Sequence, residues 1–419
     1  MADVLFDEPE TRDRHFSGFM VSGSGPMREL VQAITSEVDA AMPKRQRARK
    51  AVDQQMFEAQ VESLVCEAIH RERGCPEQWT TIPRAKGKLG KKSRYRSPVM
   101  RESIRDVLDG LSSPSVGLLE QCKGAPSKHA RSPQTTFRAS DKLLAQASRL
   151  SMSWDDFDRR EGGEVIVLKE PREDHWSDPE RIEYEDTDET IKYREQMQAI
   201  NAWLRGADIE RSRSSWLDVD LGNRQLKRYF NAGRFDRGGR LFGGFWQDMS
   251  KAGRKDLLID GEPAVELDFS QAGPRILYGL AGVTLDRDAY AVRGFEGNRD
   301  GIKKMFAAMT NAGAPLERFP EKTKELFPKG TKAGEVCGAI LKHHAAIEGH
   351  FHRQEGLAVM FRESQIMVSS LLRMMAAGVV ALPVHDAAIV AAGAVETAKA
   401  IMLEEFHRHT GVEGAVSIA

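Results

Sequence analysis

The segment from Ala264 to Arg275 constrains this chain more than any other stretch. Val265, Leu267 and Phe269 alternate with Glu266 and Asp268, the period-two pattern of a strand with one apolar face. The alternation stops at Ser270, whose hydroxyl is expected to cap a helix that accommodates Pro274 in its early turn. Asp268 then lies near the C-terminal end of a strand and projects away from the apolar face. A carboxylate in that place can hold a metal ion, or it can simply cap or pair with a neighbour.

Two further segments carry comparable information. Between Arg299 and Asn311, at about 100° per residue, Ile302, Met305, Phe306 and Met309 form one apolar stripe. Arg299, Lys303, Ala307 and Thr310 fall on the adjoining face, with Asn311 at its far edge. Two cations one turn apart beside small residues suit a triphosphate, although basic flanks on amphipathic helices are common. Between Ala381 and Val390, two short apolar strands turn at His385 and Asp386, and a helix from about Val395 to His409 is expected to end before Gly411.

The rest of the chain sets limits. A length of 419 residues suggests two or three domains, and 41% apolar residues is enough to bury a core. The formal charge of −1 hides an asymmetry. From Thr81 to Arg101 there are eight cations, Lys91 and Lys92 among them, and no acid, whereas ten acids lie between Glu170 and Thr190. Such blocks are solvated tethers or polyanion contacts. Cys66, Cys75, Cys122 and Cys337 show neither zinc-ligand spacing nor a disulfide framework. Without a signal peptide at the N-terminus or about 18 consecutive apolar residues, the expected setting is soluble, cytoplasmic and away from membranes. Helices are expected at Glu29–Ala41, Val52–Arg73 and Glu189–Leu204, with a strand at Glu164–Lys169. The Gly/Lys/Arg/Ser-rich stretch and the polar region that follows it to about Arg138 predict a linker or surface loop.

Taken in order, the strand-end Asp, the Arg/Lys helix and the His-Asp hairpin resemble motifs A, B and C of family A DNA polymerases and phage-type single-subunit RNA polymerases. The resemblance covers roughly Asn223–Ala419. Asp268 to Gln271, Asp-Phe-Ser-Gln, is close to the Asp-Tyr-Ser-Gln of the DNA enzymes. Arg299 and Lys303 have the Arg-x-x-x-Lys spacing of both groups, and Val384-His385-Asp386 matches the third motif. Upstream, Gly233-Arg234 and Arg240 are competing matches to an arginine segment of the two groups.

The resemblance implies an α+β fold: a right-hand palm of antiparallel sheet and helices, helical fingers, and a mainly helical N-terminal region. The expected division is a helical region 1–80, a basic linker 81–138, a helical connecting or thumb-like region 139–222 and a catalytic domain 223–419. It also implies template-directed nucleotide addition through two Mg²⁺ ions about 3.5–4 Å apart, for which Mn²⁺ can substitute. Asp268 and Asp386 would bridge the ions, with the Phe269 carbonyl as a further ligand. Lys303 and Arg299 would bind the triphosphate, Lys303 also acting as the acid for pyrophosphate. Ser270, Gln271, Gly273, Asn311 and His385 would surround the nucleotide and primer end. Gln365 would read the minor-groove edge of the nascent pair, and Arg228, Arg234, Arg237, Arg240, Lys91 and Lys92 would contact nucleic acid. The implied partners are a template, most naturally DNA, a primer or nascent RNA strand, NTPs or dNTPs, and replication proteins.

Departures from the pattern guide the choice of sugar. Gly273 stands where the DNA enzymes carry a glutamate that obstructs a ribose 2′-hydroxyl, and the RNA enzymes also have glycine there. Against that lean, Asn311-Ala312 replaces the usual Tyr-Gly of motif B, and Ala387 replaces the glutamate that often follows motif C. By analogy, a ribonucleotide-tolerant polymerase of this size suits a primase or a compact RNA polymerase of a mobile element. Two rival readings are a metal hydrolase built on His344, Glu348 and His352 at i, i+4, i+8, and a non-catalytic palm that only binds nucleic acid.

Overall fold

Ser24 and Pro26 start the first long helix: the Ser24 hydroxyl accepts from Met27 N at 3.2 Å, and proline occupies the first turn. This computed structural model describes residues 14–43, 47–74, 76, 78–124, 134–172, 179–212 and 219–419. Residues 44–46 and part of the acidic run lie outside the described residues, as does Cys75. The chain divides into two units, the first of residues 14–164 with 219–222, the second of 165–212 with 223–419.

The first unit runs β1 (Arg14–His15), β2 (Met20–Ser22), α1 (Gly25–Ala41), α2 (Ala51–Gly74), β3 (Thr80–Ile82), α3 (Lys86–Leu89), α4 (Ile104–Leu111), β4 (Leu119–Cys122), β5 (Thr135–Ala139), α5 (Asp141–Ser148) and β6 (Phe157–Arg159). One sheet has the order β1-β3-β5-β4, and β2 pairs with β6. Met27, Val31, Ile34 and Val38 of α1 are buried at helical spacing, and α2 contributes Phe57, Val61, Leu64 and Val65 to the same core.

Residues 81–138 are not the expected linker. Val99, Ile104, Val107, Leu108, Leu111, Val116, Leu118 and Phe137 are buried in this core. The apolar pattern is hard to read because α4 is only eight residues long and the strands are shorter still. Several cations of the run serve the fold. Arg84 grips both oxygens of Asp109 at 2.9 and 2.6 Å, and Arg96 donates to the Leu89 and Lys91 carbonyls. Lys91 and Lys92 are exposed.

The second unit runs β7 (Ile166–Leu168), α6 (Asp188–Gly206), β8 (Ile209–Arg211), β9 (Lys227–Phe230), β10 (Gly238–Phe242), α7 (Lys251–Arg254), β11 (Leu257–Ile259), β12 (Glu262–Phe269), α8 (Ala272–Leu280), α9 (Arg299–Asn311), α10 (Ala333–His343), α11 (Gly356–Ala376), β13 (Ala381–Val384), β14 (Ala387–Ala391), α12 (Val395–Thr410) and β15 (Val416–Ile418). The main sheet, antiparallel throughout, has the order β13-β14-β12-β11-β8, with β15 also on β12. A smaller sheet has the order β10-β9-β7. The long helix α11 packs against α6, α8, α9, α12, β10 and β13. The chain is an α+β protein, with β12 at the centre of its larger sheet. Among the described residues, no helix is long and apolar enough to cross a membrane.

Two local expectations need correction. Ser270 does not cap α8: the preceding residue is Gln271 in the left-handed region at φ 59°, without a side-chain cap, and the Ser270 hydroxyl meets Ser417 Oγ at 3.1 Å. His344, Glu348 and His352 do not share a helical face, because α10 ends at His343 and Ile347 is non-helical. Their rival role as a metal site falls with that face.

Burial of the 81–138 segment is testable. Leu108→Ala is expected to destabilise the protein by about 2–5 kcal/mol, as for a fully buried leucine. A urea titration measures this; an unchanged midpoint would restore the linker.

Candidate active site

Register brings the motif residues together. In the β12–β14 ladder Asp268 lies opposite Ala387, the residue after Asp386, and Phe269 N approaches the Asp386 carbonyl at 3.4 Å. Val384 pairs with Ala387, so His385 and Asp386 form a two-residue turn, with His385 at φ 57°. The two aspartates therefore meet at one end of adjacent strands. They open on a cavity of about 420 Å³ that Lys303 and Arg299 of α9 also line. Gly273, Ser270, Gln271, Asn311 and His385 reach the same cavity.

The charges around this cavity are compensated selectively. Glu266 shares the polar face of β12 with Asp268, but Arg254 holds it by two bonds of 3.0 and 3.2 Å. Among the described residues, the carboxylates of Asp268 and Asp386 make no hydrogen bond or ion pair, and neither does the Lys303 ammonium. Burial, and after it the neighbouring Asp386 charge, raise Asp268 to about 6 against the pull of Lys303. Two adjacent, partly desolvated carboxylates that no protein cation bonds, among the described residues, form a donor set that fits a divalent metal.

The structure adds two residues that the sequence reading missed. Glu363 of α11 is buried, lines the cavity and accepts from Arg240 Nε at 2.9 Å. Burial pushes its carboxyl up to about 7, with Arg240 opposing and both aspartates adding to the rise. Breaking such a buried pair from one side costs about 3–5 kcal/mol, which makes Arg240 a fixed cation of the cavity wall. The second is Tyr290, buried in the wall with its hydroxyl held well above the usual phenol range by burial. Neither sits in a motif. The only hint of Glu363 was an acid within the apolar periodicity of 356–376.

The expected nucleic-acid residues scatter. Arg228 is fully buried and donates to the Gly239 carbonyl, Ser364 Oγ and Gln365 Oε1 while stacking on Tyr193; it has no surface for a strand. Gln365 faces Arg228 and the Tyr193 hydroxyl and does not line the cavity, so its minor-groove role is withdrawn. Arg234 and Arg237 both bond Asp236 near the surface. Gln271 spends its carbonyl on Ala289 N at 2.7 Å, and Asn311 donates to the Ala307 carbonyl.

The raised Asp268 gives a pH signature. The native state keeps a proton up to about 6 that the unfolded chain loses near 3.8. This contribution to stability is therefore complete below the lower value and is lost as pH rises through the upper one. Asp268→Asn is expected to raise the melting temperature of metal-free protein by a few degrees at pH 8 and leave it unchanged at pH 3. Thermal melts at both values measure this; equal shifts would assign the effect to packing.

No family model and no curated protein matches the chain. Among solved structures it is similar to the POL domain of Pol1 from M. smegmatis in complex with DNA primer-template and dNTP. That similarity has 10% identity and a TM-score of 0.32, over 96% of this chain and 66% of that one. A likeness at this level carries no argument about chemistry.

Proposed function

We propose that the second unit is a template-directed nucleotidyltransferase that extends a strand by phosphoryl transfer, with ribonucleotides as the preferred substrates. The observation that carries this reading is the pair Asp268 and Asp386, adjacent and unpartnered among the described residues, in one cavity with Lys303 and Arg299. Its volume lies within the range of small-molecule sites, about 300–1,000 Å³.

Asp268 and Asp386, with the Phe269 carbonyl, would hold two Mg²⁺ or Mn²⁺ ions that activate the strand's 3′-hydroxyl and neutralise the leaving pyrophosphate. The chain's own groups supply the rest. Lys303 and Arg299 orient the triphosphate, and Lys303, as an ammonium, gives a proton to the departing pyrophosphate oxygen. His385, at the turn beside Asp386, packs edge-on against Phe242 at 5.7 Å and lies against the strand end. Arg240, held by Glu363, presents a fixed cation to the same strand. Template and primer or nascent strand are the macromolecular partners.

Gly273 supports the ribose preference. A Cβ added there meets only Val359 Cγ1, at 3.9 Å, so the position faces open space in the cavity. A glutamate fits without disturbing the fold and takes up room that a 2′-hydroxyl would need.

Primer extension on a DNA template with Mg²⁺, run separately with NTPs and dNTPs, tests the activity. Asp386→Ala is expected to abolish extension, and Lys303→Ala to slow it about 10²–10⁴-fold. Retained strand binding without extension by the native chain would favour a non-catalytic palm. Gly273→Glu is expected to lower kcat/KM for NTPs relative to dNTPs by at least about tenfold, roughly 1.4 kcal/mol of discrimination. An unchanged ratio removes the case for RNA synthesis and leaves a dNTP-using polymerase.

A further inference from the structure

Arg299 is not idle in this structure. Its Nε and Nη2 donate to the two oxygens of Asp288 at 2.8 and 3.3 Å, and its guanidinium carbon lies 5.1 Å from the Tyr290 ring centroid. The Asp288 carboxylate also accepts from Tyr290 N at 3.0 Å, and the Arg299 cation beside it holds it below the usual carboxylate range.

The segment carrying Asp288 is anchored. Ala289 N donates to Gln271 Oε1, and the Ala289 carbonyl meets His344 Nε2 at 2.8 Å, while His344 Nδ1 meets the Tyr278 hydroxyl at 3.0 Å. Ala289, Tyr290 and His344 are buried. Burial holds His344 down at about 4, so the imidazole stays neutral and the anchor persists at ordinary pH. Asp288 is thus fixed against the first turn of α9, and the half-exposed Arg299 is the partner that can swing.

A carboxylate that takes two N–H groups of a guanidinium occupies the fork that a phosphate would take. We propose that Asp288 is an internal competitor for the triphosphate: it holds Arg299 away from the substrate until a polyphosphate displaces it, and so sets the affinity of the site for nucleoside triphosphates. This rests on the nucleotidyltransferase reading. The exchange breaks one ion pair and forms another, with no proton or covalent bond transferred. Lys303, one turn along, makes the first contact, and Arg299 follows.

The test is calorimetric titration of the full chain with ATP and Mg²⁺, in four forms: native, Asp288→Asn, Arg299→Ala and the double variant. Asp288→Asn is expected to bind about two- to fivefold more tightly, the worth of a half-exposed ion pair. Arg299→Ala is expected to bind more weakly, and Asp288→Asn to add little in that background. Unchanged or weaker binding by Asp288→Asn overturns the proposal and would make Asp288 a support for Arg299. An equal gain in both backgrounds also overturns it, because the effect is then general charge. If neither the native chain nor Asp288→Asn binds ATP, the nucleotidyltransferase reading falls as well; binding without the gain sinks this inference alone.

Discussion

The pairing register of β12 with β14 is the constraint on which the site depends. Asp268 opposite Ala387 places the turn residue Asp386 beside it, and the ladder from Ala264 to Asp268 holds that relation against slippage. A one-residue slip would turn Leu267 outward and Asp268 into the core. Leu267 and Phe269 are buried while Glu266 and Asp268 are not, and β14 is buried throughout, so the alternation of β12 enforces the register. The stability of the sheet and the geometry of the carboxylates thus have one origin.

Around that pair, arginines hold three other acids, while these two have no ion-pair partner among the described residues. Glu266 is held by Arg254, Glu363 by Arg240, and Asp288 by Arg299. Placing like charges side by side in a partly desolvated cavity opposes folding, as the upward shift of Asp268 records. Such an arrangement persists when the surrounding packing outweighs it, and α11, whose Ile366, Met367 and Leu371 are buried, packs against α8, α9 and β13. A structural role would call for an arginine at this place, as at the other three acids.

How much was legible differs by residue type. The helix α9 and its buried stripe followed from spacing alone, since Ile302, Met305, Phe306 and Met309 share a face whatever they pack against. The β13–β14 turn and the Gly411 stop of α12, at φ 73°, were equally local. Arginine roles were not legible. Arg228 and Arg240 lie in one basic cluster, yet one is buried behind β10 and the other lines the cavity. Charge density in sequence says nothing about which guanidinium meets a carbonyl, a carboxylate or solvent. The 81–138 segment failed for a related reason, because its core residues sit on elements too short to show a period.

From the sequence alone came the elements that bear Asp268, Lys303 and Asp386, because helix and strand periodicities are properties of a few consecutive residues. The left-handed Gln271, the anchoring of Ala289, and the partners of Glu363 and Arg299 were decided only when distant segments met. Those contacts depend on which side chains become neighbours in three dimensions and on how much water each loses. Neither quantity is written in the local order of the chain.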